Sequence, residues 1–156
     1  MRLEIDLVPS TAWYSNLRTK ISRKEWDKIR KKSYAEAGHK CMICRAEEKL
    51  NCHEIWEYDD EKYVQKLKDF IALCDDCHMI KHIGFASIQA NKGLLDMEKL
   101  IKHFMIVNNV DRKTFDEYHE KSFEIWKERS KSKWKTDLAE WFNLISPSKT
   151  ALTVLD

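Results

Sequence analysis

Four of the five cysteines fall into two C-x-x-C pairs, Cys41/Cys44 and Cys74/Cys77, with residues 45–73 between them. Thiolates three residues apart on a tight knuckle can face one ion, and two knuckles supply the four tetrahedral ligands of a structural zinc. The expectation is a closed Zn²⁺ site that leaves no coordination position open. A redox dithiol is the competing reading, but it would stand between a strand and a helix with no second pair to match. Cys52 is left over and reads as a small buried residue.

A second constellation starts beside the first. Cys77 is followed directly by His78 and then by His82, and residues four apart on a helix share a face about 6 Å apart. His53 and Glu54 lie in the first half of the cysteine-bounded segment. If zinc joins residues 41–44 to 74–77, it also draws His53 towards His78 and His82. Three imidazoles with open positions would make a Lewis-acid site for a catalytic ion.

The elements that must hold these groups are readable in outline. Residues 2–8 alternate Leu3, Ile5 and Leu7 with Arg2, Glu4 and Asp6, a short strand pattern ended by Pro9. Ser22-Arg-Lys-Glu25 is a capping box that opens a helix over 23–37, and Gly38 stands where a helix-ending glycine belongs. Residues 50–56 read as a strand. Val64, Leu67, Phe70 and Ile71 suggest a short turn of helix, and residues 77–83 a further one. Three helices follow by pattern: one through Leu94–Met105, a longer one through Phe115–Trp126, and one through Trp134–Ile145 stopped by Pro147.

Composition narrows the class. The chain has 156 residues, 43% hydrophobic and 11% aromatic, which is enough to bury a core and excludes disorder over the whole length. Only 3 Gly and 2 Pro leave few corners, favouring helices over a many-stranded sandwich or barrel. A single domain over 1–156 is the economical reading, with a finger core over 23–92 and a helical appendage over 93–146. With 28 basic and 26 acidic residues the net charge is only +2, so a polyanion would have to be met by local segregation of charge. No apolar run approaches the roughly 18 residues of a membrane span, and acids interrupt the apolar start, which excludes a signal peptide. No membrane association and a cytoplasmic location are expected.

The run C-x-x-C, then Leu50-Asn-Cys-His53-Glu54-Ile55, then Leu73-Cys-Asp-Asp-Cys-His78-Met-Ile-Lys-His82 resembles the zinc-stapled branch of the HNH endonuclease family. The resemblance covers about residues 24–84 and is most specific in the L-C-x-x-C-H-x-x-K-H half. Combined with the elements read above, it gives an α+β, predominantly helical fold. At its centre would be a zinc-bound ββα-metal (treble-clef-like) finger, preceded by a strand and helix and followed by about three helices. It also implies metal-dependent cleavage of DNA phosphodiesters. His78 and His82 fall on the helix positions that hold the catalytic ion, Mg²⁺ or another divalent, and His53 on the first residue of the family's ligand–base pair. The second residue of that pair, normally the histidine that activates water, is Glu54 here, and the family's central Asn falls on Asp69. Glutamate is a weaker base than imidazole near neutral pH, unless burial raises its pKa. A shifted register would make His53 the base and Cys52 the ligand.

A nuclease must meet phosphates. Arg23, Lys24, Lys28, Arg30, Lys31 and Lys32 stud the helix before the finger, and Lys81 lies within it; these could bind DNA, expected to be double-stranded. Acids at Glu57 and 59–61 put a repelling patch in the finger's own loops. The alternative is a finger of weak or no catalytic activity that binds nucleic acid or a protein partner, such as a phage or bacterial factor gripping a host protein. His39, His103 and His119 have no motif around them and receive no role.

Overall fold

The computed structural model describes residues 1–145; Pro147 and residue 146, the last of the helical appendage read from sequence, lie outside them. Helix α1 (Arg23–Glu36) begins at Ser22, whose side chain accepts from the Glu25 N–H, and ends at Ala37. The next residue, Gly38, has φ +63° with open space around its missing Cβ. The chain needs glycine there for the left-handed turn rather than for room. The Glu25 carboxylate completes no capping box; it pairs with Lys28 at 2.8 Å.

Two strands and a helix follow in direct succession. β1 (Leu50–Asp59) pairs antiparallel with β2 (Val64–Cys74), from Leu50 opposite Cys74 to Asp59 opposite Val64. Cys74 ends β2 and is also the N-cap of α2 (Asp75–Lys81). The turn of helix expected at 64–71 is therefore a strand, and a bulge explains the error. Ile55 pairs with Asp69 but Trp56 with Leu67, which leaves Lys68 as an extra residue. Burial falls on Gln65 and Leu67 before the bulge; after it Phe70 and Ile71 are half-buried and Ala72, Leu73 and Cys74 are all buried. The inserted residue ends the alternation of period two, and the interrupted pattern imitates helical spacing.

The remaining chain wraps this unit. His82 breaks the helix between α2 and α3 (Ile83–Asn91), and α4 (Met97–Asn108) and α5 (Arg112–Arg129) follow. α4 is capped by Asp96 and closed by Asn109 at φ 53°, so the Asn108-Asn109 stop holds. The third C-terminal helix does not form over 134–145. Lys135–Asp137 is a short strand, β3, parallel to β2, and Ala139–Leu144 is a 3-10 turn. Trp134 and Leu138 are buried with Lys135 and Asp137 exposed between them, a period of two that the i, i+4 spacing concealed. Residues 2–8 form no strand either. Leu3 is fully buried and Ile5 and Leu7 pack on the main core, but the backbone of Leu3 bonds the Asn108 side chain, and the Asp6 N–H the Lys81 carbonyl.

The architecture is thus α+β, about half helical with a three-stranded sheet in the order β1-β2-β3. Its main core joins the cysteine cluster to Ile80, Ile83, Leu100, Phe104 and Phe115. A second core sets Leu17, Ile21, Leu67 and Leu138 against the tryptophans Trp26, Trp56 and Trp141. Among the described residues no helix is long and apolar enough to cross a membrane.

Candidate metal centres

The sulfurs of Cys41, Cys44, Cys74 and Cys77 all lie within 4.8 Å of one another, with three of the four residues buried. The first knuckle is tight: the Arg45 N–H returns to the Cys41 carbonyl, and Arg45 adopts φ 68°. The Met42 N–H bonds Ala72 of β2, fastening that knuckle to the strand that carries the second. In the second, the Cys77 N–H donates to Cys74 Sγ at 3.4 Å. Hydrogen bonds from the Cys74 and Cys77 thiols pull the Cys41 pKa down, and those of Cys74 and Cys77 rise in return, chiefly through Cys41. Four sulfurs this close together suit a shared cation that offsets their mutual repulsion as thiolates. The cluster could hold a structural metal ion such as zinc.

His103 of α4, which carried no sequence signal, adds to this centre. Its Nε2 lies 3.2 Å from Cys77 Sγ. No spacing rule connects it to the cysteines, because the packing of α4 on α2 alone brings it there.

The imidazoles of His53, His78 and His82 form a separate group, also within 4.8 Å of one another. Successive helical residues are about 100° apart, so α2 can turn Cys77 to the sulfurs and His78 away from them. His53 arrives from β1, with Nδ1 3.2 Å from His82 Nε2 and ring centroids 5.6 Å from His78 and 4.8 Å from His82. Burial pushes His78 down to about 4 and His82 to about 3, so both are neutral near pH 7 and offer free lone pairs. Asp6 completes the surroundings: its Oδ2 is 3.4 Å from His53 Nε2. A carboxylate on one ring nitrogen sets the tautomer that leaves the other free to bind a metal. Asp6 was read only as a polar position in an alternating segment, and no motif marks it.

Glu54 follows His53 on β1 and has a different set of partners. Its Oε1 accepts from the N–H groups of Leu17 and Arg18 at 2.9 and 3.2 Å. Burial raises its carboxyl to about 7, the opposing effect that the sequence left open. Cys52 belongs to neither cluster, and burial lifts its thiol to about 11. Asp69 is exposed on β2, accepting from the N–H of Phe70.

An open cleft of about 1070 Å³ contains His53, Glu54, His78 and His82 in its wall. It divides the basic residues singled out in the sequence. Arg23 and Arg30 line it, whereas Lys24, Lys28, Lys31, Lys32 and Lys81 do not. Arg30 is paired with Asp27 at 2.6 Å and Lys28 with Glu25. Arg18 and Lys49 line the cleft as well. The acidic hairpin turn begins six residues along β1 from His53, roughly 20 Å at strand rise, and Arg129 grips its Asp60 through two bonds. The acids therefore do not front the imidazoles. Comparison of the chain with protein-family models, curated proteins and solved structures found no match.

Proposed function

We propose that this chain is a metal-dependent endonuclease of the HNH type, hydrolysing DNA phosphodiester bonds. One observation carries the reading: three imidazoles from β1, α2 and the residue that caps α2 converge beside a four-cysteine cluster, in the wall of an open cleft. A closed thiolate set suits a structural Zn²⁺, while three nitrogens leave positions open, as catalytic sites do. The succession of β1, β2 and α2, with cysteines at the strand–helix junction, agrees with a ββα finger.

In this reading His53, His78 and His82 hold Mg²⁺ or another divalent ion. When bound, the ion supplies charge that polarises the scissile phosphate and stabilises the leaving oxygen. Asp6 fixes the His53 ring, Glu54 accepts the proton of the attacking water, and Arg23 and Arg18 attract the phosphate backbone. The water oxygen bonds to phosphorus as the bond to the leaving oxygen breaks.

Incubation of supercoiled plasmid with Mg²⁺, Mn²⁺ or Ni²⁺ tests this. Nicking with at least one ion, abolished in His82→Ala, is expected. A protein that nicks with none of them is no nuclease, and salt-dependent gel shifts would then mark it as a nucleic-acid-binding finger.

A further inference from the structure

We infer that the cleft beside the imidazoles takes an unpaired strand, with bases turned inward against its aromatic and guanidinium walls. This rests on the endonuclease reading and names the form of nucleic acid it acts on. The first wall is one face of α1, where Arg23, Trp26, Arg30 and Tyr34 recur at helical spacing. Trp13 and Arg18 also line the cleft. Cations and aromatic rings therefore alternate within a single concave surface.

The chemistry of the walls distinguishes a paired from an unpaired ligand. In a duplex the faces of the bases are covered by their neighbours, and only edges and phosphates are offered. A flat ring or guanidinium gains contact area only from a base that has left the stack. Trp13 is 49% exposed although it lines the cleft, an apolar surface left where a base would cover it. Arg18 holds its guanidinium over the Trp26 ring, 5.7 Å from the centroid, so the two form a stacked pair that a base could extend.

Charge placement agrees. A protein that grips a duplex mainly by phosphates spreads lysines over the surface it presents. Here Lys24, Lys28, Lys31 and Lys32 lie outside the cleft. Inside, guanidinium groups outnumber ammonium groups, with Arg18, Arg23 and Arg30 on the wall beside the single Lys49. The sugar–phosphate chain is thereby directed along Arg18 and Arg23, and the bases towards Trp13 and Trp26.

The test is equilibrium binding of the full-length, zinc-loaded protein, without further divalent ion, followed by fluorescence anisotropy. The probes are a short labelled single strand and the blunt duplex of the same sequence. The single strand should bind about tenfold tighter or better. Trp13→Ala should weaken it by roughly 5- to 150-fold, the span of one lost stacking contact, and Trp13→Phe should restore most of the affinity. Unchanged circular dichroism and zinc content in both variants exclude misfolding. A duplex bound as tightly as the single strand, no binding of the single strand, or indifference to Trp13→Ala overturns the inference. The outcome is independent of cleavage. Nicking without strand preference removes this inference and leaves the enzyme, whereas strand preference without nicking does the reverse.

Discussion

Cys77 Sγ lies 3.2 Å from His103 Nε2, so helix α4 touches the sulfur cluster directly through a ring that is not one of its four sulfurs. An N–H donated to a metal-bound thiolate withdraws charge from it and fixes its direction. His103→Phe keeps the ring's bulk and removes the donor. Transfer of the metal to a chromophoric chelator should then show an affinity about 10–100-fold lower. Equal affinities would mean that the contact is packing alone.

Removal of the cysteine-bound metal should unfold more than a loop. Cys41, Cys74 and Cys77 belong to the same core as Leu3, Ile80, Leu100 and Phe104, so losing the ion removes the link between the two knuckles inside the main core. Chelation at neutral pH should collapse the helical circular dichroism in one step, and added Zn²⁺ should restore it. Cys41→Ser should resemble the chelated protein even with zinc in excess. A fully helical apo-protein would contradict a structural metal.

The second centre is expected to depend on Asp6 without affecting the first. Asp6→Asn keeps the shape but removes the charge that orders the His53 ring. Affinity for the added divalent ion, measured by titration calorimetry, should fall about 10–100-fold, while one equivalent of zinc stays bound. If zinc is lost in parallel, the two centres are not independent.

Local signals were the legible ones. Ser22 and Gly38 bracketed α1 within a residue, and the paired cysteines marked a cluster because both knuckles are close in sequence. The histidine triad could be read because α2 and the residue that caps it supply two of its members one turn apart. What failed depended on pairing at a distance. Lys68 is extra only with respect to β1, so no window of β2 alone reveals the bulge that disguised the strand. Lys135–Asp137 becomes a strand because β2 offers an edge. His103 and Asp6 reach their centres through tertiary packing, and nothing near them in sequence announces it.

Asn108 explains why residues 2–8 alternate like a strand yet form none, and it supplies the last prediction. Its Oδ1 accepts from the N–H groups of Arg2 and Leu3 at 2.9 and 3.0 Å, and its Nδ2 donates to the Leu3 carbonyl at 2.9 Å. A side-chain amide thus presents the donor and acceptor that a neighbouring strand would have presented, and the segment stays extended with Leu3 buried beneath it. Asn108→Ala leaves a part-buried N–H and C=O without these partners, at a cost of about 1–3 kcal/mol. Thermal unfolding should register this as a Tm lower by several degrees. Asp6 is three residues beyond Leu3, so loosening the segment should also weaken the divalent site. The two effects should overlap. Once Asp6→Asn has removed the carboxylate, Asn108→Ala should cost little further divalent affinity while still lowering the Tm in full. Fully additive losses of affinity would show that Asn108 acts on the imidazoles by some route other than Asp6.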